Sequence, residues 1–166
     1  DKTGTLTKGE FAIIKAPPAE VLQLAASLEA HSEHPIAKAI VNKADLKSYK
    51  KVNGFKVLRG RGVEGKIGKD MITIGNQTLM KERKIDLGNF VKSVEKLEED
   101  GKTTMMVAKG KKILGVIAVA DSVKEDSKEA IRRLNKAGYR TVMITGDNER
   151  TAKAIAKQVG IKEVIA

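Results

Sequence analysis

The chain contains no cysteine and no tryptophan, and aromatic residues make up only 3% of it. Without cysteine there are no disulfides, no thiolate metal sites and no cysteine nucleophile. The two histidines, His31 and His34, cannot alone build a typical zinc centre. Scarce aromatics leave no stacking platform for nucleic-acid bases, and no zinc-finger or RNP-like string is present. No apolar run approaches the ~18 residues that span a bilayer. The opening Asp1-Lys2-Thr3 has no leader-like apolar stretch behind it.

What is abundant is charge. There are 32 basic residues against 21 acidic ones, for a net charge of +11. Such a balance raises the question of nucleic acid or an anionic surface. The lysines, however, are scattered over what read as exposed helix faces, so the reading is a solvated surface with no nucleic-acid partner. At 166 residues the chain suits one ordinary domain or two small ones.

Two textures alternate along it. Pro17-Pro18 opens a helix carrying Val21, Leu24, Ala25 and Leu28 on one stripe, and Pro35 opens a second with Ala37, Ile40, Val41 and Ala44. From Lys51 to Gly75, short apolar runs punctuated by glycine read as antiparallel strands. A helix from about Asn76, a charged helix over 89–100 and strands over 103–109 and 111–120 follow. The tail then alternates helix (125–136), strand (140–144), helix (148–159) and a last strand near Val164, the rhythm of a parallel sheet. The expected fold is therefore an α/β domain (1–10 and 116–166) with an inserted α+β module (11–115), an antiparallel sheet flanked by helices.

The chemistry concentrates in short strings. In Asp1-Lys2-Thr3-Gly4-Thr5-Leu6-Thr7, an aspartate at a strand end can attack a phosphoryl group. Gly4 permits close backbone approach, while Thr3 and Thr5 offer donors. Thr145-Gly146-Asp147-Asn148 follows an apolar strand and opens a helix, where backbone N–H groups favour phosphate. Alone it reads equally as a capped helix. Asp121-Ser122-Val123-Lys124 likewise reads as a helix start. Gly101-Lys102-Thr103 fails the P-loop pattern, because position 96 is Lys, and reads as a loop entering a strand. Of the adjacent Met105 and Met106, at least one belongs in a core.

DKTGTLT with TGDN resembles the phosphorylation motifs of P-type ATPases, ion pumps of the haloacid-dehalogenase superfamily. Ser32-Glu33-His34-Pro35 is similar to the mark of their heavy-metal subclass, and the resemblance covers essentially the whole chain. It implies Asp1 as nucleophile with Lys2, Thr3, Thr145 and Asp147 around the transferred group, and Asp1 and Thr3 at Mg2+. It also implies ATP held by Glu29, His34, Gly60, Gly62, Val63, Gly75 and Asn76, with Asp121 at the return from the insert. A related phosphatase with a large cap domain is the alternative. Such phosphatases usually place a second aspartate where Thr3 stands, and a threonine cannot activate water as a carboxylate does. The resemblance further implies a membrane-bound parent, copper as the commonest cargo, and actuator and transmembrane domains as partners. The family's downstream GDGxND string is missing. The chain is thus expected to be a soluble, monomeric cytosolic fragment with ATP or ADP as ligand and little turnover of its own.

Overall fold

A computed structural model describes residues 1–166. The chain divides into two compact units. The first comprises Asp1–Ala12, Glu95–Thr103 and Ala120–Ala166, and the second Ile13–Val94 and Thr104–Val119. Eight strands and six α-helices are present: β1 (Thr7–Lys15), α1 (Ala19–Glu29), α2 (Pro35–Ala44), β2 (Val52–Leu58), β3 (Gly62–Ile67), β4 (Asp70–Gly75), α3 (Gln77–Glu82), α4 (Val91–Glu99), β5 (Thr103–Lys109), β6 (Lys112–Val123), α5 (Ser127–Lys136), β7 (Val142–Ile144), α6 (Glu149–Val159) and β8 (Glu163–Ile165). Six strands form one sheet in the order β1-β6-β5-β4-β3-β2, and β7 and β8 pair separately.

In the second unit β2, β3, β4 and β5 pair antiparallel in succession. Helix α1 packs on β2, β3 and β4 and against α2. Its buried residues Leu22, Ala25, Ala26, Ser27, Leu28 and Glu29 form a wider stripe than the four-residue pattern in the sequence. Ile40, Ile74, Leu79, Met80 and Met106 are fully buried and anchor this core. Two helices of this unit start on side-chain caps. His34 accepts the Ile36 N–H at 3.2 Å through Nδ1, with Pro35 in the first turn, and Asn76 Oδ1 accepts the Leu79 N–H at 3.0 Å.

The first unit is built on parallel β7–β8 with α5 and α6. Leu6, Ile131, Met143, Ala152, Ile155, Ala156, Val159 and Ile161 form its core. The α6 residues recur at helical spacing, and the helix is bounded by the Asn148 cap and by Gly160 at φ +86°.

Three departures from the sequence reading matter. Thr7–Lys15 is a strand, although its glycine and charged residues masked the alternation. Strand β7 begins at Val142 rather than Arg140, whose guanidinium is instead paired with Glu163. Strand β6 runs on to Val123, so Asp121 lies within a strand and does not open a helix; α5 starts only at Ser127.

One glycine pair fixes the β3–β4 geometry. Gly62, at φ +148°, stands opposite Gly75, and a Cβ on Gly62 would lie 2.0 Å from the Ile74 carbonyl oxygen. The collision is with backbone, which cannot swing aside. Gly62→Ala should therefore destabilise the second unit by about 3 kcal/mol. A denaturant midpoint within error of the parent's would contradict this.

Candidate active site

The opening motif is wound into a single irregular turn. Its Lys2–Leu6 segment is closed by the Thr7 N–H donating to the Lys2 carbonyl, with Gly4 at φ +78°. A side chain at Gly4 would meet the left-handed penalty, which is the reason glycine stands there. The Asp1 carboxylate lies at the surface and accepts the Lys2 N–H at 2.8 Å. Thr7, fully buried, braces the turn: its hydroxyl accepts the Gly4 N–H at 3.3 Å and donates to Asp121 Oδ2 at 2.5 Å. The other Asp121 oxygen accepts the Gly9 N–H at 2.9 Å. Both oxygens of Asp121 thus hold the opening segment in place. Lys124 donates its ammonium to the Gly4 carbonyl at 2.9 Å, and Ser127 caps the Leu6 carbonyl at 2.8 Å.

The TGDN turn meets this motif through one ion pair. Lys2 is only 2% exposed, and its ammonium is paired with Asp147 Oδ2. An ammonium taken out of water is costly unless a carboxylate and hydrogen bonds accompany it. Here Asp147 is itself fixed. Thr145 Oγ1 donates to Oδ2 at 3.0 Å, Thr103 Oγ1 donates to Oδ1 at 3.2 Å, and the Asp147 N–H returns to Thr145 Oγ1 at 3.2 Å. Asp1, Lys2, Thr3, Asp121, Thr145 and Asp147 therefore all lie in the first unit, with Asp1 and Thr3 exposed and Lys2 buried. No group of three or more acidic or histidine side chains converges as a ready-made metal cage. Mg2+ typically takes one or two carboxylates and completes its shell with phosphate oxygens and water. The exposed Asp1 carboxylate beside Thr3 fits such a partial protein shell.

The remaining candidates lie in the second unit. Asn76 joins two of them: its Nδ2 donates to the Gly60 carbonyl at 3.0 Å, and its N–H donates to the Arg61 carbonyl at 2.9 Å. Its carboxamide is thereby spent on a cap and on the Gly60-Arg61-Gly62 turn. Val63 is buried opposite Ile74, as a core residue. His34 is exposed, and because Nδ1 accepts a backbone N–H, its neutral ring carries the proton on Nε2. Glu29 is buried, and desolvation lifts its carboxyl from the ordinary range to about 7. Thr103, Lys124 and Thr7 join the site although the sequence gives none of them a role in it. Thr7 and Lys124 end the DKTGTLT and DSVK strings, and Thr103 ends a Gly-Lys-Thr string that reads only as a loop entering a strand.

The haloacid dehalogenase-like hydrolase family model matches residues 1–166. A copper-exporting P-type ATPase of Staphylococcus haemolyticus (strain JCSC1435) is 46% identical over 169 residues, covering 100% of this chain and 21% of the relative. Its counterpart in Staphylococcus aureus (strain JH9) is 44% identical, again across the whole chain and 21% of the relative. The chain thus spans about a fifth of the length of the curated relatives it matches. Among solved structures, a zinc-transporting PIB-type ATPase in an E2.Pi state superposes with TM-score 0.67 at 33% identity, covering 100% of this chain and 28% of that one. The catalytic domain of the CPx-ATPase CopB-B gives TM-score 0.76 at 27% identity over 99% of this chain and 58% of that one.

Two outcomes follow from the buried charges. Asp147→Ala leaves the Lys2 ammonium buried without its counter-ion, so urea unfolding of the first unit should show a loss of about 3 kcal/mol. The double variant Lys2→Met/Asp147→Leu should recover most of that loss. Glu29 behaves oppositely to a salt-bridged acid. Its folded pKa, about 7, lies above the unfolded value of 4.5, so its ionisation weakens the fold as pH rises through that window. Glu29→Gln should accordingly raise the melting temperature at pH 8 and change it little at pH 4.5. An equal effect at both pH values would contradict a desolvated Glu29.

Proposed function

Because the chain belongs to the haloacid dehalogenase-like hydrolases, we propose that it is the ATP-binding, phosphoryl-accepting portion of a heavy-metal-exporting P-type ATPase. The observation that carries this reading is the buried ion pair joining Lys2 of the DKTGTLT turn to Asp147 of the TGDN turn. It draws together two strings separated by most of the chain, leaving the Asp1 carboxylate at the surface beside them. The units at 1–12 with 95–103 and 120–166, and at 13–94 with 104–119, serve as phosphorylation and nucleotide-binding parts. The complete protein, with its actuator and transmembrane domains, is a membrane pump. No helix of this chain is long and apolar enough to cross a membrane, and as part of such a pump it would be the cytoplasmic, ATP-facing portion.

The Asp1 carboxylate attacks the γ-phosphorus of ATP, the bond to the bridging oxygen breaks, and ADP leaves with that electron pair. Lys2 supplies fixed positive charge near the transferred group. The Thr145 hydroxyl, which donates to Asp147 in this structure, is the donor that would turn to it, since the Thr145 N–H is held by the Ile165 carbonyl. Asp1 and Thr3 are the residues that would hold Mg2+, which when bound would supply charge screening between carboxylate and phosphate. Thr3 then leaves the aspartyl phosphate without a neighbouring carboxylate to activate water, which prolongs its life and favours a transport cycle over phosphatase turnover. Glu29, His34 and the Gly60–Gly62 turn, closed by Asn76 and Gly75, grip adenine and ribose. The His34 Nε2–H donor is the ring atom left for that purpose. The relatives' stated cargoes are copper and zinc, so a cytosolic portion similar to both does not select the ion.

Calorimetric titration should show ATP and ADP binding with little dependence on Mg2+. His34→Asn is the informative variant, because asparagine can still cap α2 while removing the imidazole. A tenfold weaker affinity is expected from one lost hydrogen bond. Unchanged affinity would remove His34 from the site. Turnover by the 166-residue chain should stay near background. γ-Labelled ATP should leave no hydroxylamine-sensitive label on it, whereas the complete ATPase should be labelled at Asp1. Robust Asp1-dependent labelling of the short chain would show that its metal site is already complete.

A further inference from the structure

Thr103 sits at the junction of α4 and β5, at the end of the Gly101-Lys102-Thr103 string that fails the P-loop pattern. Its hydroxyl nevertheless donates to Asp147 Oδ1 at 3.2 Å, on the oxygen that neither Lys2 nor Thr145 uses. A carboxylate held through one oxygen alone can turn about its terminal bond. Held through both, it cannot exchange them without breaking bonds on each side. The loop carrying Thr103 is itself pinned to α6. The Lys102 carbonyl accepts from Thr151 Oγ1 at 2.7 Å, and Arg150 reaches Glu95 at 2.9 Å and the buried Glu98 at 3.1 Å. Helix α6 is the one that opens directly after Asp147. Contacts from one side of the turn thus hold the loop, and the loop holds the other side of the carboxylate.

We propose that Thr103 is a positioning residue that locks the Asp147 carboxylate, and through it the Lys2 ammonium, in the orientation needed for phosphoryl transfer to Asp1. Thr103 touches neither nucleotide nor nucleophile in this role. The lock is a property of the first unit, whereas its consequence for catalysis rests on the function proposed above. Phosphoryl transfer depends on groups placed before the charge develops, and small displacements of such groups are costly.

Two readouts test this. In the 166-residue chain, mild acetylation followed by peptide mass spectrometry reports how well Lys2 is protected. Thr103→Val and Thr103→Ala, chosen so that at least one keeps the strand start intact, should raise Lys2 modification about fivefold without altering the melting temperature by more than a few degrees. Thr103→Ser, which restores the hydroxyl, should return it to the parent level. In the complete ATPase, the same Val or Ala change should slow phosphoenzyme formation about tenfold, with nucleotide affinity unchanged and Ser again restoring the rate. Parent-like Lys2 protection in a folded Val or Ala variant overturns the proposal, and so does phosphoenzyme formation at full rate. If the unaltered ATPase forms no phosphoenzyme, the functional reading fails instead, and Lys2 protection alone then upholds or overturns the lock.

Discussion

A single ammonium group taken out of water governs the arrangement of the first unit. Lys2 is 2% exposed in a chain whose basic residues otherwise lie mostly at the surface. Burying that charge without a partner would cost several kcal/mol, comparable to a large share of a small domain's stability. The cost is met only if a carboxylate is delivered to the same place. Asp147, held by hydroxyls on either side, is that carboxylate. The pairing requires the opening turn to be wound tightly, which Gly4 permits and the Thr7–Asp121 bond enforces. Stability and the proposed chemistry coincide here, since the groups that neutralise one another also bring the DKTGTLT and TGDN turns together.

The second unit solves a different problem, that of bringing backbone close to backbone. Gly62 and Gly75 face each other where a side chain on either would strike a carbonyl. Asn76 then ties the Gly60 turn to the start of α3 with one carboxamide. These bonds explain the glycines and the asparagine without any ligand. His34 is double-edged: one ring nitrogen caps α2 and thereby fixes the proton on the other. Glu29, raised to about 7 by burial, is the one strongly desolvated acid of this unit. A carboxyl kept part-protonated near neutrality can donate as well as accept a hydrogen bond.

Much of this was legible from residues alone. The seven-residue opening string, TGDN and SEHP carried the family, because phosphoryl chemistry demands particular side chains at fixed short spacing. The helices α1, α2 and α6 announced themselves through proline starts and apolar periodicity, and the glycine-broken run 52–75 announced the antiparallel strands. Strand β1 did not, since its alternation is interrupted by Gly9 and Glu10 and its outer face stays wet. For Asp121 the local string offers two readings, the return from the insert and a helix cap, and only the fold places it inside β6. Its actual partners, Thr7 and Gly9, lie more than 100 residues away in sequence.

Local sequence therefore determined which residue types could do chemistry and which segments would be helix or strand, because those depend on interactions within a few residues. Tertiary structure alone decided that Lys2 would be the buried lysine, that Asp147 would be held through both oxygens, and that Thr103 would be one of the groups holding it. Burial and ion pairing are set by what the whole chain brings near. No string around Thr103 records that Asp147, 44 residues further along, comes within hydrogen-bonding reach.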